Sequence, residues 1–175
     1  MYCLASSPTV TGCTFVSNTG GGGGGISCAD GSEPVISHCT FWDNSAGYGS
    51  GILSRGGSAP TIWNSIIAFG TNGVAVFCHS DSRVHIYCSD IFGNEGGDWV
   101  GCVAGQLGVG GNLSADPLFC DPGAGDLHLS DASPCLDADG CGQIGAWGGG
   151  CSAPTAVGEE KQPSTTWSAV KHMYR

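Results

Sequence analysis

Pro34-Val35-Ile36-Ser37-His38-Cys39-Thr40-Phe41-Trp42-Asp43-Asn44 recurs in the chain. A counterpart, Pro8-Thr9-Val10-Thr11-Gly12-Cys13-Thr14-Phe15-Val16-Ser17-Asn18, begins 26 residues earlier (34 − 8). A third copy, Pro60-Thr61-Ile62-Trp63-Asn64-Ser65-Ile66-Ile67, begins 26 residues later (60 − 34). A fixed period of this size means stacked structural units. Val10, Ile36 and Ile62 are equivalent, as are Cys13, Cys39 and Ser65, and Phe15, Phe41 and Ile67. Stacking the copies therefore builds continuous internal columns.

Strand is favoured over helix because each copy is rich in β-branched and aromatic residues and alternates apolar with polar over short runs. Glycine closes every copy, most densely at Gly20 to Gly25, which removes a helical reading there. A second short strand follows each glycine region: Ile26-Ser27-Cys28, Ile52-Leu53-Ser54 and Val76-Phe77-Cys78. One coil thus holds about three short strands. The step from Ile36 to Cys39 breaks simple alternation, so the chain is expected to bend near His38, with Gly12 and Asn64 at the same bend. Asn18 and Asn44 recur five residues after the cysteine and are expected to form a turn ladder.

The fourth coil is read as irregular. Arg83-Val84-His85-Ile86-Tyr87-Cys88 alternates, Cys88 aligns with Ser65 on the inward side, and a one-residue bulge is placed at Ser89, which leaves Asp90 pointing outward. Gly96 to Cys102 and Gly108 to Gly111 read as a turn excursion. Leu118, Phe119, Leu127 and Leu129 then supply strand residues expected to cover the last open rung.

The repeat resembles right-handed parallel β-helix proteins, the pectin-lyase-like superfamily and its polymorphic-outer-membrane-protein-like relatives, in which Cys-Thr-Phe-x-x-Asn and Gly-Gly-Gly-Ile units recur. The series Asp116-Pro117-Leu118-Phe119, Ser133-Pro134-Cys135-Leu136-Asp137 and Ile144-Gly145-Ala146-Trp147 is similar to the terminal coils of bacterial secreted β-helix proteins. The resemblance implies an all-β, right-handed parallel β-helix over residues 1–151 with an irregular C-terminal cap. Residues 152–164, rich in Pro, Thr, Glu and Lys, read as a linker, and residues 165–175 as a short amphipathic helical tail.

Composition narrows the partners. Charged residues make up 11% of the 175 and the formal net charge is −10, with only Arg55 and Arg83 basic before Lys161. No patch is able to neutralise a phosphate backbone, so nucleic acid is excluded as an expected partner. No transmembrane stretch is present. Met1-Tyr2-Cys3 aligns with Ile26-Ser27-Cys28, so the chain starts inside a coil. The expectation is the C-terminal part of a longer extracellular or cell-surface protein, its signal peptide lost with the missing N-terminal region, or a gene model begun at an internal methionine. The uncapped first coil is expected to self-associate. Eleven cysteines point to an oxidising compartment; Cys3/Cys28 and Cys13/Cys39 are read as free stacked thiols, and disulfides are expected among Cys102, Cys120, Cys135, Cys141 and Cys151.

Enzymes of the resembled fold use paired carboxylates for hydrolysis, or carboxylate-bound calcium with a Lys or Arg base for elimination. The repeat places Thr14, Thr40, Ile66 and Asp90 in one outward column and Val16, Trp42, Ala68 and Phe92 in the next. One carboxylate lies on that face and Asp43 sits at its rim, with no base beside them. No catalytic set is assigned. The leading expectation is a non-catalytic scaffold or adhesion domain. Trp42 with Phe92, and Trp63 on another outward column, would stack on sugar rings of a polysaccharide or cell-surface glycan, with Asp43 and Asp90 bonding hydroxyls. The alternative is a fragment of a polysaccharide lyase or glycoside hydrolase. No metal ligands or cofactor motif are assigned, and calcium is the one ion left open. The glycine run lacks the Lys-Ser/Thr ending of a phosphate loop.

Overall fold

The computed structural model describes residues 1–152; the tail expected at 165–175 and all but the first residue of the linker lie outside them. The described chain is an all-β parallel solenoid of about four coils. Three four-stranded parallel sheets run its length. The first sheet holds Tyr2–Leu4, Ile26–Ala29, Gly49–Ser54 and Val74–Cys78; the second holds Thr9–Thr11, Val35–Ser37, Thr61–Trp63 and His85–Tyr87. The third holds Thr14–Val16, Thr40–Trp42, Ile66–Ala68 and Asp90–Phe92. The period survives as register: Val10 pairs with Ile36, Ile36 with Ile62 and Ile62 with Ile86, and in the third sheet Phe15, Phe41, Ile67 and Ile91 follow one another. These inward columns form the core, with Ile26, Ile36, Ile52, Ile62 and Ile91 fully buried. Each such side chain contributes roughly 1.5–3 kcal/mol of burial. Phe15 and Phe41 stack in parallel inside it at 4.6 Å.

The corners explain the non-periodic step from Ile36 to Cys39. Gly12, His38, Asn64 and Cys88 all take left-handed backbone angles, φ between 43° and 61°, and so turn the chain from the second sheet to the third. At the last three corners the following amide is satisfied from the next coil: Cys39 N–H donates to Ser65 Oγ at 3.1 Å, Ser65 N–H to Ser89 Oγ at 3.1 Å, and Ser89 N–H to Asn112 Oδ1 at 3.2 Å. At the next corner Asn18 donates through both its backbone N–H and Nδ2 to Asn44 Oδ1, and Gly70 N–H donates to Asn94 Oδ1. The expected asparagine ladder is present, and a serine ladder runs beside it. Buried amides are thereby paired where no strand is available to pair them.

The fourth coil differs from expectation. Ser89, not Cys88, is the equivalent of Ser65; Ile67 pairs directly with Ile91, so the coil is two residues shorter than its predecessors and needs no bulge at Ser89. Cys88 holds the corner instead. With φ at 48° its side chain leaves the core, and it forms a disulfide with Cys141.

The solenoid end and its flank are covered by different segments, which corrects the placement of the cap. The end rung is closed by the 3-10 helix Gly101–Gln106. Val103 is buried there against the core, Gln106 Oε1 accepts from Ile86 N–H, and Gln106 Nε2 donates to Val84 O. A disulfide from Cys78 to Cys102 fastens this helix to the first sheet. The segment containing Leu127 and Leu129 does not cover the rung. It forms a small sheet of Phe119–Asp121, Asp126–Ser130 and Gly149–Cys151, held by the Cys120–Cys151 disulfide, and belongs to a covering layer along the outer side of the third sheet. Leu129, Cys135, Ala138 and Ile144 pack there on Ile66 and Ala68. Ile66 and Ala68 are outward residues that are also apolar, and their burial drives the segment onto the flank rather than the end.

Candidate functional site

The third sheet was expected to present the open ladder, and most of it is closed. Thr40, Ile66 and Asp90 are fully or almost fully buried although they point away from the solenoid core. Ala146 N–H donates to Thr40 Oγ1 at 3.0 Å, and Asn64 Nδ2 donates to the Cys141 and Gln143 carbonyls. Asp90 is 0% exposed. Its Oδ1 accepts Ala115 N–H at 3.0 Å and its Oδ2 faces the Cys135 thiol at 3.6 Å. Burial pushes its carboxyl up to about 7 against the weaker opposing pull of the Ala115 N–H. Asp90 therefore joins the covering layer to the solenoid, and a ligand lying on the protein surface does not reach it. The expectation of an outward, solvent-facing Asp90 fails because a stretch distant in sequence lies over it, which the repeat alignment does not reveal.

Of the other residues singled out from sequence, Trp42, Asp43 and Phe92 stay with the third sheet and its corner, and Trp63 stands on another face. Trp42 and Phe92 lie half-buried in one column of the third sheet with Ala68 between them. Phe92 meets Phe69 edge-on at 5.7 Å. Asp43 occupies the following left-handed corner, where its Oδ2 accepts from Ser17 Oγ at 2.8 Å. Trp63 is around the bend on the second sheet. That face is open: Thr11, Ser37, Trp63 and Tyr87 form one outward column and Thr9, Val35, Thr61 and His85 the next. Trp63, 41% exposed, stacks on Tyr87 with ring centroids 4.3 Å apart and planes 20° from parallel. Below the rings, Ser37 Oγ donates to Thr11 Oγ1 at 3.0 Å. The column thus carries a ring surface at one end and a row of hydroxyls at the other.

A third surface was not singled out from the sequence. On the outer face of the first sheet, Tyr2, Ser27, Leu53 and Phe77 are in register, and Arg55 and His79 follow two residues on in the last two coils. Two adjoining hollows, about 500 and 460 Å³, share Arg55 and His79. One hollow has Tyr48 and Leu53 in its wall, and the other has Asp30, Ser80 and Asp81. Tyr48, Phe77 and His79 make a cluster of rings with centroids 5.2 to 5.9 Å apart. The signal in the sequence is the alternation through Phe77-Cys78-His79, whose outward positions the reading of the first sheet left unused.

The glycine run is a packing device at this same face. A Cβ on Gly22 would lie 2.7 Å from Leu53 Cδ2, and one on Gly24 would lie 2.2 Å from the Ser50 carbonyl oxygen. Among the described residues no cluster of three or more His, Cys, Asp or Glu side chains converges on a point able to hold a metal ion. No helix among them is long and apolar enough to cross a membrane. Cys3, Cys13, Cys28 and Cys39 are free, as expected, and Cys135 is the one free cysteine of the set in which disulfides were expected. Burial pushes the Cys28 thiol up to about 12 and makes it unreactive.

Parallel sheets stacked at a fixed period, corner ladders of Asn and Ser, and an inward column of Val and Ile define the class as a parallel β-solenoid. The family is shown by a match of residues 1–113 to the model described as right handed beta helix region, and the chain belongs to that family. No curated protein and no solved structure matches the chain.

Proposed function

We propose that the chain is a non-catalytic β-helix domain of an extracellular or cell-surface protein, a scaffold or adhesion module that holds glycans on its outer strand faces. The observation that carries this reading is the exposed Trp63–Tyr87 stack above the Ser37–Thr11 hydroxyl row. A sugar ring offers C–H groups to an aromatic face and hydroxyls to neighbouring polar atoms, and parallel strands repeat both along the solenoid axis. Three disulfides support an oxidising location. A hydrolytic or eliminating reading finds less support, because Asp90 is enclosed by the covering layer and Asp43 is bonded to Ser17.

The test is incubation of the protein with a panel of neutral and acidic polysaccharides, with and without calcium, following retention on the polymer and release of shortened chains together. Retention without cleavage, reduced at least tenfold by Trp63→Ala, is the expected result. Cleavage of any polymer in the panel would replace this reading with the hydrolase or lyase alternative.

A further inference from the structure

We infer that the groove on the first sheet is a second glycan subsite, selective for a neutral pyranose unit. The inference rests on the glycan-binding reading above and gives it a different location and a substrate class. Tyr48 and His79 supply ring surface to the groove, and Phe77 packs against both rings. Asp30 and Asp81 supply hydroxyl acceptors, and Arg55 is shared by the two hollows. Arg55 is exposed, and its Nη2 donates to Tyr2 Oη at 3.0 Å. Among the described residues no carboxylate forms a salt bridge with Arg55, so Asp30 and Asp81 line the groove beside the guanidinium without being paired to it. A guanidinium has five donors and no acceptor, which suits a ring carrying several hydroxyls. The end lined by Tyr48 and Leu53 would take a ring face, and the end lined by Asp30 and Asp81 would take equatorial hydroxyls.

Charge sets the class. Two carboxylates face one guanidinium in the groove, on a chain of net charge −10. An acidic sugar would meet net repulsion, and a cationic one would meet Arg55. A neutral ring can use both signs at once, accepting from Arg55 and donating to Asp30 and Asp81.

The experiment is an NMR titration of the oxidised full chain with cellohexaose, xylohexaose and mannohexaose, and with hexagalacturonate as the acidic probe. Saturable shifts at Tyr48, Arg55, Phe77 and His79 with at least one neutral probe are expected, with binding at least tenfold weaker for hexagalacturonate. Tyr48→Ala and Arg55→Gln, both at exposed positions, are expected to weaken the neutral probe at least tenfold while the amide spectrum keeps its dispersion. Shifts confined to Trp63 and Tyr87 would overturn the groove and leave the proposed function standing. Stronger binding of hexagalacturonate in the groove would overturn the neutral class. No saturable shift with any probe would overturn the groove, and the polymer retention assay on Trp63→Ala then decides the broader reading separately.

Discussion

Asp90 shows how one side chain reports on long-range packing. Its carboxyl is buried between the third sheet and the covering layer and titrates at about 7 rather than 3.8. Below pH 3.8 it is neutral in both the folded and unfolded chains and costs nothing. Between pH 3.8 and 7 the unfolded chain ionises it while the folded chain does not, so stability falls as pH rises through that window. A difference of about three pH units corresponds to a loss on the order of 4 kcal/mol above pH 7. Asp90→Asn keeps an oxygen for Ala115 N–H without the buried charge. It is expected to raise the denaturant midpoint at pH 8 and to change it little at pH 3.5. An equal effect at both pH values would mean that Asp90 is solvated in the folded chain. The outward direction of Asp90 is legible from alternation through Asp90-Ile91-Phe92, whereas its burial is not. Nothing in the local sequence states that Ala115 and Cys135 will arrive over it.

At the scale of elements, the repeat makes the strands legible because the alternating residues themselves form the columns. Val10, Ile36 and Ile62 align whether one counts residues or measures register. The fourth coil departs from its sequence reading for a definite reason: cysteine marks the inward corner in the early copies, but serine fills that place as well. Ser65 and Ser89 do the same work there, using Oγ to receive the preceding coil's amide. Placing Cys88 inward also hides its disulfide. The glycine run offers a sharper test, because its members are not equivalent. A Cβ added to Gly21 would have no atom within 4 Å, whereas one added to Gly24 would meet backbone oxygen at 2.2 Å. Gly21→Ala should therefore leave stability within about 0.5 kcal/mol or raise it slightly, and Gly24→Ala should cost more than about 2 kcal/mol. Equal costs in urea unfolding would mean that the run is a flexible loop rather than a packed turn.

The described residues together form a solenoid with three unlike outer faces. The first sheet carries a groove of rings and charges, the second an open stack of Trp63 on Tyr87, and the third a covering layer fixed in part by the Cys88–Cys141 disulfide. Of the residues expected from sequence to contact a glycan, Trp63 stands on the second face, while Trp42, Asp43, Asp90 and Phe92 belong to the third sheet and its corner, where Asp90 is enclosed; a repeat gives the position along the coil but not what lies against it. The assignment of function depends on which faces water and ligands can reach. Hydroxyl-radical footprinting of the oxidised protein, read residue by residue by mass spectrometry, measures this on all three faces at once. The result consistent with this account is strong labelling of Trp63 and Tyr48 with Ile66 and Leu129 protected. Labelling of Ile66 at a rate comparable to Trp63 would contradict it, since the third sheet would then be the open face and Asp90 would stand on it.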